Sequence, residues 1–162
     1  MRSIKRRAFS NFPFHPGKFP FFYGWVVIFL GTLGTLMSLP GQTIGVSTFT
    51  DYLLDALALN RDQLSTAYML GTISSSFLLT FAGKMYDRHG ARLVATAAAM
   101  GMGLMLLYMS HADKLANALI NWFPAMPAYV MTFAVVFPGF FLLRFFGQGS
   151  LTMASRNMIM EW

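Results

Sequence analysis

Three groups of residues in this chain have the type and spacing to do chemistry. The first is Arg144, a guanidinium inside a long apolar run from Leu115 to Trp162 whose other charges are Arg156 and Glu161 alone. Arginine offers five donors, accepts nothing and stays protonated, so it binds carboxylate or phosphate oxygens, or carbonyls left over at a helix end. The second is Gln42, which follows Pro40-Gly41 and precedes Thr43, Ser47 and Thr48. Proline removes a backbone donor, and these polar side chains lie where the carbonyl it orphans needs a partner. The third is the charged decapeptide Gly83-Lys84-Met85-Tyr86-Asp87-Arg88-His89-Gly90-Ala91-Arg92 between two apolar segments. Nothing here resembles a covalent catalyst. The sequence has no nucleophile with an evident base, no metal-ligand spacing among His15, His89 and His111, and no phosphate-cradling glycine loop, so neither an enzyme, a metal site nor a cofactor is expected.

The elements that must hold these residues are apolar helices. Hydrophobic residues make up 56% of the 162-residue chain and charged residues 11%, against about 25% charged in a soluble domain. No charge occurs from Phe21 to Thr50, from Leu64 to Gly83 or from Leu93 to Ser110. Because about 20 helical residues cross the hydrocarbon core, the sequence predicts an all-α membrane protein. Four transmembrane helices are expected, at about 22–50, 62–84, 91–110 and 129–158. The runs do not alternate with polar residues, which argues against barrel strands. The first run is too long for a signal core and lacks an Ala-x-Ala site, so it reads as a retained helix after a basic leader, 1–20.

Within this frame Arg144 falls near mid-membrane, where a charge costs at least about 2.5 kcal/mol and must face water, a bundle interior or an acid. The other apolar runs contain no Asp or Glu. Either Arg144 attracts an anion or couples to a proton carrier, or it is structural and bonds helix-end carbonyls. Pro40-Gly41 and Pro138-Gly139 supply places to bend, and Asn60 or Asp62 can cap the second helix. Gly31, Gly34, Gly41, Gly45, Gly101, Gly103, Gly147 and Gly149 permit close helix approach. Gly71, Thr72, Ser74, Ser75 and Ser76 make a small-residue strip best explained by packing. Between His111 and Ala128 a short surface-lying helix is expected, with Leu115, Ala118, Leu119 and Trp122 near one face.

Lys and Arg alternate high, low, high, low along the connections. The leader has five and no acid, the 51–63 connection one against three acids, the 84–92 turn three against one, and the Asp113-Lys114 connection is balanced. Cytoplasmic loops keep such residues, so both termini are expected in the cytoplasm of a cell (inner or plasma) membrane. The net charge of +6 then faces anionic lipid heads and calls for no nucleic acid.

Gly83-x-x-x-Asp87-Arg88-x-Gly90-x-Arg92 resembles the signature loop of the major facilitator superfamily. Arg144-Phe145-Phe146-Gly147-Gln148-Gly149 is similar to its second signature, and Phe22-Tyr23-Gly24-Trp25-Val26-Val27 to the opening of its oxalate/formate antiporter and monocarboxylate transporter branches. Ala91 departs from members that carry a basic residue there. The resemblance implies the first part of a twelve-helix carrier working by alternating access. It implies a conformational-switch loop of Gly83, Asp87, Arg88, Gly90 and Arg92, in which Asp87 engages the other half when the cytoplasmic side is shut. It further implies an organic-anion solute, such as a monocarboxylate, moved with a proton or counter-solute. Arg144 is the first expectation for substrate binding or coupling and Gln42 the second, with Gly147 and Gly149 as packing glycines. On this reading the chain is an amino-terminal fragment whose partners are the remaining helices and the bilayer. The alternative is an independent four-helix protein, a dimeric exporter or an assembly factor; the absence of a membrane-embedded acid disfavours a proton-coupled exporter.

Overall fold

The computed structural model describes residue 22 and residues 24–160; residues 1–21, which include the basic leader, Tyr23 and Glu161-Trp162 lie outside them. All regular structure among the described residues is helical. Helix α1 is Gly24–Met37, a 3-10 turn covers Leu39–Gly41, and α2 is Thr43–Leu57. Helices α3, Arg61–His89, α4, Ala91–Ser110, and α5, Ala112–Trp122, follow. The last stretch runs from α6, Ala128–Leu143, through a π-helical segment, Arg144–Leu151, into α7, Thr152–Met160.

Three of these are long and apolar enough to cross a membrane: Arg61–His89, Ala91–Ser110 and the continuous Ala128–Met160. The expected first crossing at 22–50 is corrected to two shorter helices around a break. Pro40 has no N–H to continue the ladder, and the chain turns through tighter bonds instead, Gly41 N–H to the Ser38 carbonyl and Gln42 N–H to the Leu39 carbonyl. At 14 residues and 1.5 Å per residue, α1 by itself falls well short of the ~30 Å hydrocarbon core.

The turn expected at 83–92 is also shorter than its composition suggests. Helix α3 continues through Lys84, Asp87 and Arg88 to His89, because basic residues in a last turn complement the negative helix end. Gly90 alone reverses the chain, with φ +84°, a conformation that costs side-chain-bearing residues strain. Backbone crowding is not the reason for either loop glycine, since a Cβ at Gly83 or Gly90 would meet open space. At the other end of α3, Asn60 occupies the N-cap position and its N–H donates to Gln63 Oε1 at 3.0 Å.

The continuous span Ala128–Met160 is the hub. Leu64, Ala67, Gly71 and Ser75 of α3 form a buried ridge at three- and four-residue spacing, and a Cβ at Gly71 would lie 3.0 Å from the Phe141 nitrogen. Gly31 and Gly34 of α1 admit Ser155 and Ile159 of α7, and Gly101 of α4 admits the Phe146 ring, whereas Gly103 faces open space. Pro138 does not end α6; the departure from α-geometry comes six residues later at Arg144. The Tyr108 hydroxyl donates to the nearby Val135 carbonyl at 2.9 Å. A core of Leu57, Leu59, Leu64, Ala67, Ala112, Ala116, Val135, Val136 and Phe140 joins α2, α3, α5 and α6.

The outside is as apolar as the inside. Trp25, Phe29, Phe77, Phe81, Met100 and Leu107 are all exposed on the helix surfaces. Leaving so much apolar area in water costs roughly 25 cal/mol per Å², and monomeric soluble proteins seldom carry such contiguous patches. With the three long spans, this makes the molecule a membrane-embedded helical protein.

Candidate functional site

Arg144 is half-buried at the junction of α6 and the π-helical segment. Its Nη1 donates to Thr43 Oγ1 at 3.2 Å, and its Cζ lies 4.9 Å from the centroid of the Tyr68 ring. The Tyr68 hydroxyl donates to the same Thr43 oxygen at 3.0 Å, while its ring packs edge-on against Phe140 at 5.5 Å. Three elements thus meet: the first residue of α2, the early turns of α3 and the middle of the Ala128–Met160 span.

The donor and acceptor balance gives the site its character. Two incoming donors occupy both lone pairs of Thr43 Oγ1, so its own O–H remains available to donate. Arg144 spends one of its five N–H groups on Thr43, and among the described residues the ion pair present is Arg61 with Asp51, at 3.0 Å and exposed at the start of α3. No carboxylate among them neutralises Arg144. The opening amides of α2 have no intrahelical acceptors, and a helix N-terminus carries partial positive charge. The cluster presents the spare N–H groups of Arg144 and the Thr43 O–H together with positive potential, while the Tyr68 oxygen, whose own proton goes to Thr43, remains an acceptor beside them.

Beside it lies a buried hydroxyl network. Ser38 is fully buried; its Oγ donates to the Thr35 carbonyl at 2.6 Å and accepts from Gln42 Nε2 at 2.8 Å. Thr152 Oγ1 is 2.9 Å from Ser38 Oγ and 3.0 Å from the Gly147 carbonyl, its single proton serving one at a time. Gln42 is therefore tied to the break rather than to Arg144. Gly41 and Gly147 bring the two irregular segments together, for a Cβ on Gly147 would stand 2.8 Å from the Gly41 Cα. Gly149 faces the Leu79 side chain.

The residues of the charged decapeptide are elsewhere, in the last two turns of α3 and the start of α4. Asp87, Arg88, Gly90 and Arg92 are exposed and Gly83 is half-buried inside α3. No ion pair joins Asp87 to a basic group among the described residues. No group of three or more His, Asp or Glu side chains gathers among them either. A cavity of about 120 Å³ lined by Ala56, Asp113, Asn117, Ile120 and Thr132 lies between α2, α5 and α6 and shares no residue with the Arg144 cluster.

Sequence reasoning missed Tyr68, Ser38 and Thr152. Tyr68 lies 76 positions before Arg144 in the chain, and no local pattern links them; only the packing of α3 on α6 does so. No protein-family model, no curated protein and no solved structure matches this chain.

Proposed function

We propose that this chain is the amino-terminal portion of a secondary active transporter of the major facilitator type. It moves a small organic anion, such as a monocarboxylate, by alternating access with a proton or a counter-solute. The observation that carries the reading is the donor-rich, positively charged cluster at Arg144, a guanidinium with spare N–H groups beside the break between α1 and α2. Carriers place solute near the midplane at discontinuous helices whose N-termini point at anionic groups, and Thr43 at the start of α2 fits that arrangement. The signature residues Gly83, Asp87, Arg88, Gly90 and Arg92, at the end of α3 and start of α4, support the same class. In this reading Asp87 is a latch that contacts the other half of the carrier when the cytoplasmic side closes, its exposure leaving it accessible to that partner. The protein resides in the cell (inner or plasma) membrane with the amino terminus in the cytoplasm.

The test is uptake of labelled small carboxylates by cells expressing the full-length carrier that contains this chain, compared with its Arg144→Ala and Arg144→Lys variants. A charge-assisted hydrogen bond is worth about 1.5–3 kcal/mol, so Arg144→Ala should lower uptake at least about tenfold with membrane insertion intact. Lysine, without the planar fork, should restore part of it. Unchanged uptake in Arg144→Ala removes that residue from the mechanism, and absence of carboxylate uptake by the parent protein rejects the anion assignment.

A further inference from the structure

Helix α5 has three distinct faces. At 3.6 residues per turn, Ala112, Ala116 and Leu119 share one side, where Ala112 and Ala116 are buried in the core and Leu119 packs against it. Lys114, Asn117 and Asn121 occupy the opposite side, all exposed. Leu115, Ala118 and Trp122 form a third strip about a quarter turn from the packed face. All three are exposed, Trp122 by 80%. The strip continues beyond the helix through exposed Phe123, Met126 and Tyr129.

A helix packed on a protein in water needs two faces, one apolar and one polar. The third, lateral apolar strip needs another apolar medium, and the position of α5 says which. It connects α4 directly to α6, two elements long and apolar enough to cross a bilayer, so it sits where hydrocarbon gives way to water. The spans on either side likewise expose apolar side chains, including Leu107 of α4 and Tyr129 of α6. Trp and Tyr are the side chains that settle at this depth, with apolar rings in the acyl boundary and polar atoms among headgroups.

We infer that α5 is an interfacial membrane anchor. Ala112 and Ala116 dock it to the bundle, Leu115, Ala118 and Trp122 enter the phospholipid interface, and Lys114, Asn117 and Asn121 face water. The partner is the lipid surface rather than a second protein. The anchor is tied through one core to the end of α2 and the middle of α6. This inference rests on membrane embedding alone and stands whether or not the protein carries anions.

The chain has no cysteine, so a scan of single cysteines from 112 to 122 can carry a nitroxide label without background. The full chain is reconstituted in vesicles of phosphatidylethanolamine and phosphatidylglycerol. Collisions of the label with oxygen, which dissolves in lipid, and with a water-soluble nickel chelate are then measured. Oxygen accessibility should peak at 115, 118 and 122 and nickel accessibility at 114, 117 and 121, so that the oxygen-to-nickel ratio inverts between the sets. Both should be minimal at 112, 116 and 119. Nickel accessibility at 115, 118 and 122 equal to that at 114, 117 and 121 places the strip in water and overturns the proposal. Protection of the strip from both reagents means that a second copy or another protein covers it, and overturns the proposal equally. Should labels at 112 or 116 disrupt folding, the six exposed positions still decide between these outcomes.

Discussion

Tyr68 holds Arg144 in two separable ways, and they predict different consequences for substitution. Its ring lies beneath the guanidinium, a contact worth about 0.5–1 kcal/mol when exposed and about 2 when desolvated. Its hydroxyl reaches Arg144 through Thr43. Tyr68→Phe keeps the ring and should weaken carboxylate binding less than about threefold. Tyr68→Leu removes the ring and should weaken it about three- to tenfold; isothermal titration of the detergent-solubilised protein with a small carboxylate measures both. Equal losses would assign the role to the hydroxyl. Ala58 offers a stability test far from this cluster. It ends α2 in the left-handed region at φ 49°, where a Cβ costs roughly 1–2 kcal/mol. Glycine relieves that strain and gives back about 0.5–1 kcal/mol in unfolded-chain entropy. Ala58→Gly should therefore raise stability by up to about 1 kcal/mol, read as a higher midpoint in denaturing-detergent unfolding followed by circular dichroism. A lower midpoint would mean that the alanine methyl makes packing contacts worth more than the strain.

Among the elements, the junction of α1 with α2 and the span Ala128–Met160 are both irregular where they meet, and the two irregularities fit each other. The break at Ser38–Gln42 brings Gly41 against Gly147 of the π-helical segment, and Thr152 spans the junction to Ser38. Segments of π-helix concentrate at functional sites, and here one positions Arg144. A Cβ on Gly147 would press on the Gly41 backbone, which cannot rotate away, so Gly147→Val should destabilise by about 1–3 kcal/mol. Gly103→Ala, with open space around it, should be neutral or gain up to about 1 kcal/mol from helix propensity. Midpoints of thermal aggregation in detergent compare the pair; similar behaviour would show that the crossing tolerates a side chain. Much of this architecture was legible in the residues, for reasons that also explain the misses. Uncharged runs mark apolar helices because hydrocarbon excludes charge, and α4 matches its run from Ala91 to Ser110. The charged stretch after Gly83 reads as a turn on composition, yet a helix emerging from lipid can carry charges to its last turn, as α3 does to His89. Pro40 marks an interruption, but whether the chain bends or breaks depends on partners such as Ser38 and Gly147 that lie far apart in sequence. Arg144 stood out by its charge; Tyr68 and Thr43 became its neighbours only through tertiary packing.

At the scale of the whole molecule, the decisive property is which end of the bundle faces the cytoplasm. Helix α4 has 20 residues, which at 1.5 Å each give about 30 Å, the thickness of the hydrocarbon core. His89 and Asn121 flank it on opposite sides, one just before α4 and the other near the end of α5. If α4 spans the bilayer these two positions must lie in different compartments. Lysine and arginine remain on the cytoplasmic side during insertion, and Lys84, Arg88 and Arg92 cluster at the His89 end. The absence of native cysteine makes the measurement direct. His89→Cys should resist a membrane-impermeant maleimide on intact cells and react once the membrane is opened. Asn121→Cys should react from outside at once. Exchange of the two patterns would invert the molecule and with it the cytoplasmic placement of Asp87, removing the latch role assigned to it. Reaction of both from the same side would show that α4 does not span, and the bundle would have to lie in the membrane by some other arrangement.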